Sequence, residues 1–123
     1  MYAYDTTFAP PAPALGVLIN SVQGTGQAYQ ATAQLDTGAD VSGVPIALLA
    51  RLKVEPHQSV EVQDFDEVRK EVRTYLVQLE LDRFRFRRLE VVALDAPHVL
   101  LGRDVLNNFR LMLDGPALNF GFG

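Results

Sequence analysis

An all-β fold, a small barrel or sandwich with two short helices, is what this 123-residue sequence predicts. Three observations carry it. Short apolar stretches recur with a two-residue alternation, the spacing a half-buried strand requires. They are separated by turn-forming groups such as Gly24-Thr25-Gly26, Asp82-Arg83 and Asp114-Gly115. Only the stretches after Pro45 and after Gly102 read as helical, and both are short.

The elements follow in order. Phe8 to Pro13 reads FAPPAP, an extended polyproline-type arm. Tyr2 to Phe8 before it alternates aromatic and smaller residues; it is expected to be disordered, the alternative being a strand added to a terminal sheet. Gly16 to Asn20 predicts a strand, Gly24-Thr25-Gly26 a hairpin turn, and Gln27 to Leu35 the return strand. Asp36-Thr37-Gly38-Ala39-Asp40 breaks that strand as a loop. Pro45 opens a helix over Ile46–Leu52, since proline suits the first helical turn. Val60 and Val62 alternate with Glu61 and Gln63, and Asp64 to Glu67 reads as a polar turn. Val72 to Leu81 is a strand with Tyr75, Val77, Leu79 and Leu81 on one face, and Phe84 to Leu94 is the next. Val99 to Gly102 predicts a buried strand, and Arg103 to Phe109 a helix with Asp104 near its positive end. Leu111 to Phe120 predicts a terminal hairpin turning at Asp114-Gly115.

Composition bounds the chemistry. The length suits one domain, and a hydrophobic content of 48% is too high for a disordered chain. No apolar run approaches the roughly 20 residues of a membrane span, and no basic region followed by an apolar stretch opens the chain. A cytoplasmic location is the default expectation. The absence of cysteine excludes disulfides, thiol catalysis and cysteine-ligated metal, and the two histidines, His57 and His98, cannot form a three-histidine site. No metal or organic cofactor is expected. A net charge of −4 disfavours nucleic-acid binding driven by net charge.

Three features in a fixed order point to a chemistry. They are Leu35-Asp36-Thr37-Gly38-Ala39-Asp40, then Val99-Leu100-Leu101-Gly102-Arg103-Asp104-Val105-Leu106, then Ala117-Leu118-Asn119-Phe120. Asp-Thr-Gly alone is a weak signal, and taken by itself reads as a turn. The combination, in a cysteine-free β domain of this size, resembles the retropepsin-like aspartic proteases, the retroviral protease family with its cellular and bacterial relatives, over about Leu15 to Phe120.

The resemblance implies a small closed barrel of the retropepsin type with one or two short helices, working as a homodimer. It divides the chain into an arm over 1–14 and a protease domain over 15–123. It implies an endopeptidase that hydrolyses peptide bonds with an activated water. Two carboxylates sharing a proton can do this, because close like charges do not both ionise easily, so one acts as base and the other as acid. This chain holds one Asp-Thr-Gly, so the second carboxylate is expected from the Asp36 of another copy. Asp36, Thr37 and Gly38 would form the catalytic loop, with Thr37 bonding across the axis. Ala39 and Asp40 would line the substrate cleft, with Asp40 ion-paired to Arg103. Leu35, Leu101, Gly102 and Arg103 would support the site. Leu118-Asn119-Phe120 resembles the family's dimer-forming last strand. Acid-active relatives carry Ser or Thr where Ala39 stands, a hydroxyl that stabilises the charged carboxylate, so an activity optimum at about pH 5–6 is expected here.

The sequence departs from the family in the hairpin that covers the cleft. Val60 to Tyr75 contains no glycine, and its tip is acidic. Asp64 and Asp66 there would disfavour acidic substrates, and Phe65 would cap the cleft by apolar contact. The bland alternative is an exposed turn with no substrate role. That departure supports a second functional reading, a catalytically weak or inactive peptide-binding or assembly domain on the same fold. Arg83 to Arg88 is the most basic stretch, with arginines alternating with Phe84 and Phe86. It is read as a charge-guarded edge strand, with Glu71, Glu80 or Glu90 as candidate partners, rather than as a nucleic-acid surface.

Overall fold

The computed structural model describes residues 1–63 and 66–123. Among the described residues, ten strands and two helices follow in the order β1 (Tyr2–Ala3), β2 (Ala14–Ser21), β3 (Tyr29–Leu35), β4 (Gly43–Pro45), α1 (Ile46–Leu52), β5 (Pro56–Gln63), β6 (Arg69–Leu81), β7 (Phe84–Leu94), β8 (Val99–Leu101), α2 (Arg103–Leu106), β9 (Leu111–Asp114) and β10 (Asn119–Phe122).

The larger sheet runs β2-β3-β8-β4-β7-β6-β5, and a further pairing of β2 with β6 closes its first six strands into a barrel. Alternation fills the interior: Val17 and Ile19 of β2, Ala33 of β3, Val77, Leu79 and Leu81 of β6 and Val91 of β7 are all buried. Leu101, Val105 and Leu106 bring β8 and α2 into the same core. Strand β6 is long enough to serve two purposes. Its first half pairs with β5 as a hairpin outside the barrel, and its second half pairs with β7 and β2 in the wall. Among the described residues no helix is long and apolar enough to cross a membrane.

Local chemistry explains the element ends. Helix α1 occupies the residues expected from the sequence, begins after Pro45, and stops where Lys53 adopts a left-handed φ of 56°. The β2–β3 turn uses the positive φ of Gly24, 66°. Helix α2 is shorter than the predicted Arg103–Phe109. The Asn108 amide donates to the carbonyls of Asp104 and Val105 at 3.1 and 3.0 Å, competing with the backbone for the acceptors a longer helix needs. Phe109 instead turns into an aromatic cluster, with Phe84 at 4.8 Å and Phe122 at 5.2 Å between ring centroids. Strand β4 was not anticipated: three buried residues are too few to show an alternation.

The expectation of a disordered N-terminal segment is corrected. Tyr2 pairs with Phe120 and Ala3 with Asn119, making β1 the edge of a separate three-stranded sheet ordered β1-β10-β9. The Tyr2 ring stacks on Phe120 and Phe122 at 5.4 and 5.2 Å, which gives the segment the apolar partners its prolines do not supply. Asp5 and Ala12 exchange backbone hydrogen bonds, Phe8 lies 4.8 Å from the His98 ring, and the Pro13 carbonyl accepts from Leu35 N–H at 3.0 Å. The arm therefore runs from the terminal sheet to the residue before Asp36.

Candidate active site

Strands β3 and β8 run parallel, with Leu35 beside Leu101, and deliver both sequence signatures to the same end of the barrel. The Asp36 N–H continues the ladder by donating to the Leu101 carbonyl at 2.9 Å. The chain then turns tightly. Gly38 N–H donates to Asp36 Oδ1 at 2.9 Å, and Ala39 N–H donates to the Asp36 carbonyl at 3.2 Å. Asp36 is half-buried, while Thr37 and Gly38 are exposed. One carboxylate oxygen of Asp36 is thus fixed by its own loop, and the loop tip faces outward.

The second signature braces this loop. Arg103 N–H donates to the Ala39 carbonyl at 2.9 Å. Its guanidinium reaches back to the Thr37 carbonyl at 2.7 Å and forms an ion pair with Asp40. The ion pair is exposed and contributes little stability by itself. Its planar donor set matters for position, because one guanidinium holds both flanks of the turn. Gly102 is required by contact: a Cβ there would lie 2.7 Å from the Val41 carbonyl carbon and 2.8 Å from its oxygen.

Sequence reasoning missed the deepest part of the bracing. Ser42 is fully buried. Its hydroxyl donates to Asp104 Oδ1 at 2.7 Å and accepts from Gly102 N–H at 3.0 Å. Its N–H donates to Asp104 Oδ2 at 2.9 Å, and its carbonyl accepts from Val92 N–H at 3.1 Å. Asp104, read from the sequence as a charge at a helix start, also accepts from Val105 N–H at 2.9 Å. Its main work is to close the loop from 62 positions away. The one available signal was a serine inside the apolar run that ends the loop.

Leu35, Asp36, Thr37, Gly38, Ala39, Asp40, Leu101, Gly102 and Arg103 are therefore brought together. Asp64 and Phe65 lie outside the described residues, and Asp66 is exposed at the far end of the β5–β6 hairpin. The base of that hairpin is held by Glu90. The Thr74 hydroxyl, 3% exposed, donates to Glu90 Oε2 at 2.6 Å, and the Gln58 amide donates to the same oxygen. These bonds, Thr74 first and then Gln58, hold the Glu90 carboxyl below its usual range. In the basic stretch Arg85 pairs with Glu80 at 3.1 Å, and Arg83 sits over the Phe84 ring. Two surface clefts of about 230 and 240 Å³ lie beside Gly16 and Glu80 and beside Lys53 and His57; neither reaches the Asp36 loop.

Known proteins share this fold. Residues 22–108 match the family described as "gag-polyprotein putative aspartyl protease". No curated protein matches the chain. Among solved structures, the EIAV protease complexed with the inhibitor HBY-793 is 27% identical with a TM-score of 0.60, over 79% of this chain and 86% of that one. A retropepsin-like aspartic protease from Rickettsia conorii superposes with a TM-score of 0.61 at 12% identity, over 92% of this chain and 82% of that one. A foamy viral protease-reverse transcriptase in complex with an RNA/DNA hybrid gives 0.57 at 16% identity, over 80% of this chain but only 12% of that one. With a closed barrel, an Asp-Thr-Gly turn braced by Gly-Arg-Asp and a family match over most of its length, this chain belongs to the retropepsin-like aspartic proteases.

Proposed function

We propose that two copies of this chain form an aspartic endopeptidase whose site is built from the two Asp36 carboxylates. The supporting observation is the Asp36 turn itself. One carboxylate oxygen is held by Gly38 N–H, the other is left for chemistry, and the loop tip is exposed on a chain that supplies a single such motif. A lone carboxylate activates water poorly at mild pH and cannot also protonate the leaving amine. Two that share a proton do both, and their titration belongs to the pair. In this reading the water attacks the peptide carbonyl while one Asp36 takes its proton, and the other Asp36 protonates the departing nitrogen. No covalent intermediate forms.

Asp40 and Arg103 hold the flanks of the cleft, and Ala39 lines it. The substrate is an extended peptide with apolar residues around the cut. The optimum lies at about pH 5–6. The test is cleavage of an unbiased peptide mixture from pH 4 to 7 at high protein concentration, read by mass spectrometry for wild type and Asp36→Asn. Cuts made by wild type and lost with Asp36→Asn support the protease. The absence of Asp36-dependent cuts at every pH favours the peptide-binding or assembly reading, for which the glycine-free hairpin is the motivating feature.

A further inference from the structure

Strand β6 loses the support of the barrel wall at Thr74. From Leu81 back to Thr74 it pairs with β7, and the last of these pairs is Thr74–Val92. From Thr74 out to Arg69 its ladder is with β5, the free edge of the sheet. Burial changes at the same residue. Thr74 is the first buried residue along β6; Arg69 to Arg73 are exposed except for half-buried Val72, and β5 is exposed except for half-buried Val60. Strand β5 also shifts register there, between Pro56 and Gln58. Further out, Glu61 stands directly opposite Glu71, a like-charge pair that weakens a ladder.

One carboxylate spans this boundary. Glu90 lies on β7 in the barrel wall, opposite Leu76 of β6. Its Oε2 accepts from the Thr74 hydroxyl at 2.6 Å and from the Gln58 side-chain amide. The Thr74 hydroxyl also lies 3.3 Å from the Gln58 carbonyl. Strands β7 and β5 are not neighbours, because β6 runs between them. Glu90 therefore ties the wall to the edge strand across the strand that separates them. Hydrogen bonds to an ionised carboxylate are the stronger kind, and the same two donors keep Glu90 ionised at neutral pH.

We propose that Glu90 is the latch of the β5–β6 hairpin: it holds residues 58–63 and 69–73 to the barrel and sets how often they open as a unit about Thr74. That unit has a single neighbouring ladder and little buried surface, so opening it costs less than opening the barrel. Breaking the Glu90 bonds frees β5 from the wall and leaves the β6–β7 ladder whole. Where the hairpin admits a peptide to Asp36, Glu90 is a positioning residue that acts through it, a consequence that rests on the protease reading above.

Amide hydrogen exchange of the full chain, followed by mass spectrometry at constant pH, tests the latch. Glu90→Ala is expected to speed exchange about tenfold over residues 58–63 and 69–73, with 77–81 and 84–94 unchanged within about twofold. Gln58→Glu, which sets two carboxylates face to face, is expected to do at least as much. Gln58→Glu combined with Glu90→Gln exchanges acceptor and donor and is expected to restore protection, which a merely structural loss would not do. A hairpin unaffected by Glu90→Ala, faster exchange spread evenly over the barrel, or a double variant no better than Gln58→Glu overturns the latch. In peptide cleavage, Glu90→Ala is expected to raise KM about threefold or more with kcat within about twofold, since Asp36 is braced by other residues. A fall in kcat at unchanged KM overturns the positioning role. A wild type without Asp36-dependent cleavage removes the protease reading and that role together, while the exchange rates still decide the latch.

Discussion

The segment from Leu35 to Gly43 and the β5–β6 hairpin both leave the barrel wall, and they are held in different ways. The first is fixed by bonds to distant chain: Leu101, Gly102, Arg103 and Asp104 all contact it, and at its base the half-buried Asp104 holds the fully buried Ser42. The second is held mainly by its own ladder. Among the described residues its side-chain ties include the exposed Arg69–Glu61 pair at 3.7 Å and the Glu90 bonds at its base. A carboxylate that must meet its counterpart within a hydrogen bond needs the first kind of support. On the proposed reading, a segment that admits a peptide is better served by the second.

Substitutions can break this contrast, starting with the largest expected effect. Gly102→Ala drives a methyl group into the Val41 backbone and should cost about 3 kcal/mol or more with loss of cleavage, measured by urea unfolding and peptide assay. Asp104→Ala leaves the Ser42 hydroxyl and N–H buried without an acceptor. A loss of about 2–3 kcal/mol is expected, and cleavage should fall even under conditions where the protein stays folded.

At the hairpin base, Thr74→Val should cost about 1–2 kcal/mol at neutral pH. Its pH dependence has a definite sign. The Glu90 carboxyl titrates below its usual range in the folded protein, so its contribution is present above the unfolded pKa and is lost as pH falls through the folded value. The gap between Thr74→Val and wild type should therefore narrow on acidification, as unfolding curves at neutral and at strongly acidic pH would reveal; a constant gap contradicts the assignment. The smallest effect belongs to Arg69→Ala, which removes an ion pair 70% and 64% exposed and should change stability by less than about 0.5 kcal/mol. A large destabilisation there would erase the distinction between the two regions.

What the sequence revealed follows the same division. Alternation and turn residues located the barrel strands other than β4, and α1 and β7 occupy the residues expected of them. Asp36-Thr37-Gly38 and Gly102-Arg103 were legible because residue type and order carry them. Ser42 bonded to Asp104 was not, because a hydrogen bond across 62 positions leaves no local pattern. Strand β4 was too short to read, and the seat of β1 depends on aromatic stacking with residues at the other end of the chain.

The two-chain site is tested most directly by mixing. Wild type and Asp36→Asn are unfolded together, refolded at fixed total concentration, and assayed for cleavage as the proportion varies. If each site draws one carboxylate from each copy, activity follows the square of the wild-type fraction and an equal mixture retains about a quarter. An equal mixture retaining about half, with activity linear in the wild-type fraction, would mean that each chain carries a complete site and would contradict the shared Asp36 pair.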